Sequence, residues 1–317
     1  MNIKSFHTKL HRWYQAYGRK ELPWRNTGDA YAIYISEIML QQTQVSTVLE
    51  RYYFPFLKKF PTIYTLAKAK ETDVLKAWQG LGYYNRAINL HHAAKQCNGS
   101  LPETVEELIQ LKGIGRNTAH AVAAFAYHQP VAVMEANVKR VVSRIFALKN
   151  PSEKELWQRA EKLLDHKNPF DYNQAMMDIG ALICKRRTPL CHECPATDIC
   201  KGKDNPEAYP APKTKKETPV RRKCIVVLQN GQGKFHATPR ATRFLNGMYH
   251  FKESSTPPRN ATKLGYVRQQ YSHFTLEADV YMKSSTAKGK DWYSLAQLKK
   301  LPMSMAEQKI LKMLQTK

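Results

Sequence analysis

The sequence predicts a multidomain protein: an all-α domain of many short helices, then a smaller α+β domain. Three observations carry this. Apolar residues recur at helical spacing from the N-terminus to about residue 200. Residues 202–223, GKDNPEAYPAPKTKKETPVRRK, hold four prolines and seven Lys or Arg, cannot bury much surface and read as a linker. Beyond them the period shortens. CIVVLQ, KFHATPR, GMYHFKE and YSHFTLEADVYMK read as strands, and SMAEQKILKML as a closing helix. The expected boundaries are therefore 1–201, 202–223 and 224–317.

Within the first domain, periodicity places helices near 5–17, 30–40, 45–58, 71–78, 84–97, 103–110, 116–127, 138–148, 153–165 and 172–184. Turn signals such as NTGD, GLG, NGSLP and KGIG separate them. The N-terminal stretch has no acidic residue before Glu21, as in a transit peptide. However, Phe6, Leu10, Trp13 and Tyr17 share one helical face, which reads as a core-packing helix.

The 317 residues suffice for two domains, and 43% apolar residues suffice for packed cores. No apolar run approaches the roughly 18 residues of a membrane helix. A cytoplasmic protein is expected, nucleoid-associated if bacterial, and in that compartment disulfides do not persist. The net charge of +24 points to a polyanionic partner such as DNA or RNA. An anionic membrane surface would ask for a basic amphipathic helix, whereas these cations are spread along the whole chain.

Four of the six cysteines fall in CKRRTPLCHECPATDIC, spaced Cys184-x6-Cys191-x2-Cys194-x5-Cys200. Thiolates select zinc or iron–sulfur clusters. Structural zinc often uses two short cysteine pairs set apart, and a single compact loop suits a 4Fe–4S cubane better. Spacing alone leaves cluster, zinc and free thiols open. Lys185, Arg186, Arg187 and Lys201 flank the loop, where they offset thiolate charge and face a phosphate backbone. Cys97 and Cys224 stand alone and read as buried structural residues.

LKGIGRNTAHAV places Gly113 and Gly115 before a helix and after another. Such a helix-hairpin-helix can turn backbone N–H groups toward a phosphate. Two carboxylates stand in contrasting surroundings. Glu37 shares a helical face with Ile33 and Leu40, so burial would raise its pKa and suit a general acid. Glu135 follows an apolar run and precedes a helix for which Asn137 is a plausible N-cap, a setting that favours the anion. One protonated and one ionised carboxyl can cleave a glycosidic bond through an oxocarbenium-like transition state.

LPWR, SEIMLQQTQV, GLGYYNRA, NVKRV, NQAMMDIGA and the cysteine loop occur in that order, followed by RQQYSHFTLE in the second domain. Together they resemble the MutY-type adenine DNA glycosylases of the helix-hairpin-helix, iron–sulfur superfamily. The resemblance implies a glycosylase domain with one 4Fe–4S cluster on Cys184, Cys191, Cys194 and Cys200, and a Nudix-like C-terminal domain. It implies a monofunctional, monomeric enzyme that flips adenine out of double-stranded DNA where it is mispaired with 8-oxoguanine or guanine. By the same resemblance Glu37 is the acid that protonates adenine N7, with Glu135 and Asn137 completing the catalytic set. Trp24, Arg25 and Asp178 match the adenine pocket. Gln41, Gln42, Tyr83, Gly113, Gly115 and Lys139 match DNA-binding positions, with Gln42 and Tyr83 as wedges in the stack. Tyr271, Ser272 and His273 match the reader of 8-oxoguanine. The second domain lacks the paired glutamates of a Nudix hydrolase, so binding without phosphohydrolysis is expected.

Four departures from the family pattern stand out, one of them a pair of adjacent residues. Glu135 and Ala136 stand where the family has aspartate and glycine, Asn117 where Ser or Tyr is usual, His120 where a small residue is usual, and Tyr271 where Phe is usual. The extra methylene of Glu135 raises two possibilities: a repacked active site, or a mismatch-binding protein that does not cut or has altered specificity. An endonuclease III-like lyase would need a lysine nucleophile in the hairpin, and Asn117 occupies that place.

Overall fold

The computed structural model describes residues 2–212 and 217–315. In chain order the helices are α1 (Ile3–Tyr17), α2 (Ala30–Leu40), α3 (Val45–Arg51), α4 (Tyr53–Lys59), α5 (Ile63–Lys68), α6 (Glu71–Ala77), α7 (Asn85–Gln96), α8 (Val105–Gln110), α9 (Arg116–Ala126), α10 (Ala136–Ile145), α11 (Glu153–Leu163) and α12 (Pro169–Asp178). A π turn, Ile179–Ile183, ends α12. The strands are β1 (Val220–Gln229), β2 (Phe235–His236), β3 (Thr238–Pro239), β4 (Tyr249–His250), β5 (Lys252–Ser254), β6 (Thr262–Gln270), β7 (Thr275–Ser284) and β8 (Trp292–Tyr293), followed by α13 (Leu295–Lys300) and α14 (Met305–Met313). No described helix is long and apolar enough to cross a membrane.

The chain divides into two compact units, each built from two segments: 1–42 with 96–214, and 43–95 with 215–317. The boundaries expected from the sequence differ, because 43–95 groups with the C-terminal segment. Part of the expected linker also has fixed structure. Gly202 N–H donates to Arg144 O at 3.0 Å and Ala211 N–H to Lys149 O at 2.7 Å, so 202–211 is tied to α10 and the turn after it. Residues 213–216 of that linker lie outside the described residues.

In the first unit, α2 is the central helix. Its sequence AYAIYISEIML is apolar almost all round, with Glu37 its one charge, and only Ala30, Glu37 and Leu40 escape full burial. The alanines of RNTAHAVAAFA let α9 approach closely; Ala121, Ala124 and Phe125 pack on Ile33 and Val133. A second core joins Phe6, Leu10 and Tyr14 of α1 to Val138, Trp157 and Met176. That core accounts for the N-terminal helix as a packing element, but its face is Phe6, Leu10 and Tyr14; of the other two residues expected there, Trp13 is only partly buried and Tyr17 is 69% exposed.

In the second unit, a mixed six-stranded sheet runs β6-β7-β1-β2-β8, with β5 also on β1. β1 and β7 pair in parallel from Val220–Thr275 to Gln229–Ser284, and β6 and β7 form an antiparallel hairpin. Ile225, Val227 and Val280 meet Met303 and Ile310 of the C-terminal helical region. On the other segment of this unit, Lys76 Nζ donates to Lys299 O at 2.6 Å, and Gln79 Oε1 accepts from Met303 N at 3.2 Å.

Several expected elements differ. The helix expected over 45–58 is two, broken at Tyr52, because Pro55 has no N–H to donate to the Arg51 carbonyl. The helix expected from 172 starts at Pro169, which suits the first helical position, and widens into the π turn before residue 184. KFHATPR is not one strand but two short ones in different sheets. Helices α5 and α13 and strands β6 and β8 are additions to the expected set.

Candidate active site

Asp29 caps α2 by accepting from Tyr31 N–H at 2.9 Å, and the helix carries Glu37 into the first unit. Glu37 keeps part of its surface open, yet its carboxyl lies deep enough to lose most hydration. Burial first, and the charge of Glu135 second, raise its pKa from 4.5 to about 7, against a smaller opposing effect of Arg25. It is therefore not a solvated residue at the edge of the helix.

Glu135 reaches its place differently from expectation. It is itself the N-cap of α10, with Oε1 accepting the Val138 N–H at 3.0 Å. Asn137 lies inside the helix instead, and its Oδ1 accepts from Arg140 Nη2 at 2.9 Å. A glutamate is long enough to fold back onto its own helix, so the residue before the first turn takes the cap. Burial raises the Glu135 pKa, and the backbone N–H groups of Asn137 and Val138 work against that rise. A site that purely favours the anion, as the sequence suggested, is thus corrected to one in which desolvation and helix N–H groups compete.

Trp24 and Arg25 form a buried 3-10 turn at Pro23–Arg25. Both Arg25 guanidinium ends engage Asp178, at 2.7 and 2.9 Å. Arg19 adds its backbone N–H at 2.8 Å and Nη2 at 2.6 Å, so Asp178, at 0% exposure, is fully occupied and its pKa is lowered. Desolvation opposes that lowering, but the two arginines outweigh it. Arg25 Nε is buried without a hydrogen-bond partner.

The predicted hairpin forms. Gly113 takes φ +78°, and Gly115 caps α9 without a side-chain bond, leaving the first amides of the helix free. Both glycines are exposed. Gln41 Nε2 donates to Thr118 Oγ1 at 3.2 Å. Gln42 is exposed with φ +57° in the first unit, and Tyr83 is 45% exposed with φ +50° in the second. Left-handed backbone at a non-glycine residue is costly and concentrates at functional sites. Lys139 is held in a surface ion pair with Glu153 at 2.6 Å. Ser272 and His273 are exposed at the tip of the β6–β7 hairpin. Tyr271, at its base, turns inward, and its hydroxyl meets Ser304 Oγ at 3.4 Å.

All four cysteines of the loop are unpaired thiols. They line one cavity of about 20 Å³ together with Arg144. Arg144 Nη1 donates to Cys184 Sγ at 3.3 Å, and the same guanidinium grips the Lys185 and Arg186 carbonyls at 2.7 and 3.0 Å. Among the described residues no group of three or more His, Cys, Asp or Glu side chains is arranged to hold a metal ion. The donor set nevertheless fits an iron–sulfur cluster in kind: four soft thiols converge on one space, with a cation to balance their charge.

Arg19, Arg140, Arg144 and Asn173 went unnoticed in the sequence. Arginines at i and i+4 of α10 both reach the cysteine loop, Arg140 Nε donating to Cys184 O at 2.7 Å. The spacing in NVKRVVSR was the available signal.

A family model for HhH-GPD superfamily base excision DNA repair proteins matches residues 35–166. The adenine DNA glycosylase of Buchnera aphidicola subsp. Schizaphis graminum is 36% identical over 240 residues, covering 72% of this chain and 69% of the relative. The chain belongs to the adenine DNA glycosylase family. The adenine DNA glycosylase of Buchnera aphidicola subsp. Baizongia pistaciae is 40% identical over 209 residues, and the match spans 64% of this chain but 59% of that protein's length. Among solved structures, a thermostable thymine-DNA glycosylase superposes with a TM-score of 0.59 at 29% identity, over 64% of this chain and 96% of that one. The residues that the family model matches include both Glu37 and Glu135.

Proposed function

We propose that this chain is a monofunctional adenine DNA glycosylase acting on double-stranded DNA in which adenine faces 8-oxoguanine or guanine. The observation that carries the reading is the pairing of Glu37 and Glu135: two buried carboxyls close enough to raise the proton affinity of one. With a pKa of about 7, Glu37 holds a proton in much of the population near neutrality. It delivers that proton to adenine N7, so the base leaves neutral. Glu135 then faces the developing positive charge on the deoxyribose as an anion, steadied by the first amides of α10. Proton donation and charge stabilisation are separate tasks, which explains why the two groups need unequal proton affinities.

In this reading Gln42 and Tyr83 fill the gap left by the flipped adenine, which fits their exposure and strained backbone. The Gly113–Gly115 hairpin holds phosphate, and Gln41 and Lys139 lie along the DNA. Trp24, Arg25 and Asp178 wall the adenine pocket; the Asp178 carboxylate acts through Arg25 rather than on the base. Tyr271, Ser272 and His273 of a Nudix-like domain read 8-oxoguanine. Cys184, Cys191, Cys194 and Cys200 would hold one 4Fe–4S cluster, which when bound cross-links the loop and needs no part in the hydrolysis. Asn117 rather than lysine in the hairpin makes the enzyme monofunctional.

The test is incubation of purified protein with duplexes carrying adenine opposite 8-oxoguanine, followed by alkali and a denaturing gel. Strand scission only after alkali, with no borohydride-trapped adduct, is the expected result. Binding of the duplex with no scission would favour a mismatch sensor over an enzyme.

A further inference from the structure

Glu135 is delivered by a stretch without regular structure, Val131–Met134, whose backbone is held by side chains from two helices. Asn117 of α9 accepts the Met134 N–H on Oδ1 at 2.7 Å. His120, one turn further along α9, places Nδ1 2.9 Å from Ala132 O. Asn173 of α12, 1% exposed, accepts the Val133 N–H at 2.9 Å and donates to Val131 O at 2.9 Å. Four consecutive residues are thus gripped in turn by carbonyl, carbonyl, amide and amide. A buried strand with no sheet partner must find such bonds somewhere.

The His120 ring is fixed on its other sides. It packs on Trp157 with centroids 4.7 Å apart, and its Nε2 accepts from Arg116 Nε at 3.5 Å. Arg116 in turn lies 4.0 Å over the Trp157 ring. Nδ1 must carry the proton to donate to a carbonyl, and Nε2 must be bare to accept from a guanidinium, so one neutral tautomer satisfies both contacts.

We propose that Asn117, His120 and Asn173 are positioning residues that clamp Val131–Met134 and so set where the Glu135 carboxylate stands. Asn117 and His120 stand where the family pattern has other residues, as does Glu135, and one backbone segment connects all three. The clamp is therefore matched to the longer acid. This rests on the glycosylase reading above for its kinetic consequence, but not for its structural one.

The test is a double-mutant cycle. Asn117→Ala is made with Glu135 and with Glu135→Asp, and single-turnover excision and duplex affinity are measured for each. Asn117→Ala should cost about tenfold or more in excision rate with Glu135, and under about threefold with Glu135→Asp, while affinity changes by less than about threefold. His120→Asn, which keeps an N–H for Ala132 O, should retain more of the rate than His120→Ala. In parallel, hydrogen exchange of the Met134 amide should speed up by about tenfold in Asn117→Ala while the middle of α10 keeps its protection. Equal rate losses in both backgrounds, or an unchanged Met134 amide, would overturn the clamp. Should the parent protein cut no adenine duplex, the functional reading fails, and the Met134 exchange still decides the clamp.

Discussion

Glu135 accepts the Val138 N–H at 3.0 Å, so the residue expected to face the sugar also caps α10. The carboxylate is thus committed to the helix, where Asn137 bonds it as well through its backbone and side chain. Glu135→Gln keeps an oxygen for the cap but removes the charge. It should cost under about 1 kcal/mol of stability and at least about a hundredfold in excision rate. Urea unfolding and single-turnover kinetics separate the two effects. Comparable loss in both would make Glu135 a structural cap alone.

Burial of Glu37 carries a pH-dependent cost. Its pKa rises from 4.5 to about 7, so its contribution to stability is fully present below about pH 4.5 and is lost as the pH rises through about 7, above which the folded state must hold the anion. Glu37→Gln should therefore be more stable than the parent at pH 8, by on the order of 3 kcal/mol, and differ little at pH 4.5. Thermal unfolding at the two pH values checks this. An equal difference at both would place Glu37 in solvent.

Asp178 balances two arginines in the interior. Asp178→Asn leaves the Arg25 guanidinium, 7% exposed, without its counter-charge and should cost about 3–5 kcal/mol. Because the Asp178 pKa is lowered, its stabilisation is present above the ordinary value of 3.8 and is lost as acid protonates the folded carboxylate. Chemical denaturation of the variant at neutral pH gives the magnitude. A cost below about 1 kcal/mol would show that Arg19 and Arg25 find other partners.

The cysteine loop should hold colour. Protein purified without oxygen is expected to be brown, with iron and sulfide near four atoms each per chain. Cys194→Ser should lose the colour and loosen α10, because Arg140 and Arg144 both bond the loop. Zinc in place of iron in native protein would select the alternative that spacing left open.

Tyr271→Phe removes a hydroxyl that points to Ser304, not to the tip of the hairpin. Ser304 also bonds Glu307, which pairs with Arg240 at 3.3 Å. The variant should lose about 0.5–1.5 kcal/mol of stability and leave discrimination between 8-oxoguanine and guanine within about twofold. Ser272→Ala with His273→Ala should do the reverse. A large change in discrimination on losing the hydroxyl would bring Tyr271 into contact with the base.

The legible parts of this molecule were those with dense local signals. The apolar wrap of α2, the Phe6/Leu10 face of α1 and the two hairpin glycines each stated their own role. Glu37 stood out as the one charge of α2, but spacing alone did not decide between burial and a solvated edge. Strand β6 was hidden because only Val267 of its nine residues is buried, so an edge strand showed no alternation. Helices α5 and α13 did carry a signal: Thr62/Thr65 and Ser294/Gln297 form capping boxes, but each helix is only six residues long. The grouping of 43–95 with the C-terminal segment rests on contacts far apart in sequence, such as Lys76 with Lys299. Side-chain grips on irregular backbone, as of Asn173 on Val131 and Val133, leave no periodic trace.

The central claim is that Glu37 acts as the proton donor. Its most direct test is the pH dependence of single-turnover adenine excision opposite 8-oxoguanine, for the parent protein and Glu37→Gln. The parent rate should stay level in mild acid and fall about tenfold per pH unit above about 7, following loss of the Glu37 proton. Glu37→Gln should excise nothing measurable at any pH while still binding the duplex. A parent rate that keeps rising through pH 8, or a Glu37→Gln variant that cuts at the parent rate, would contradict the account.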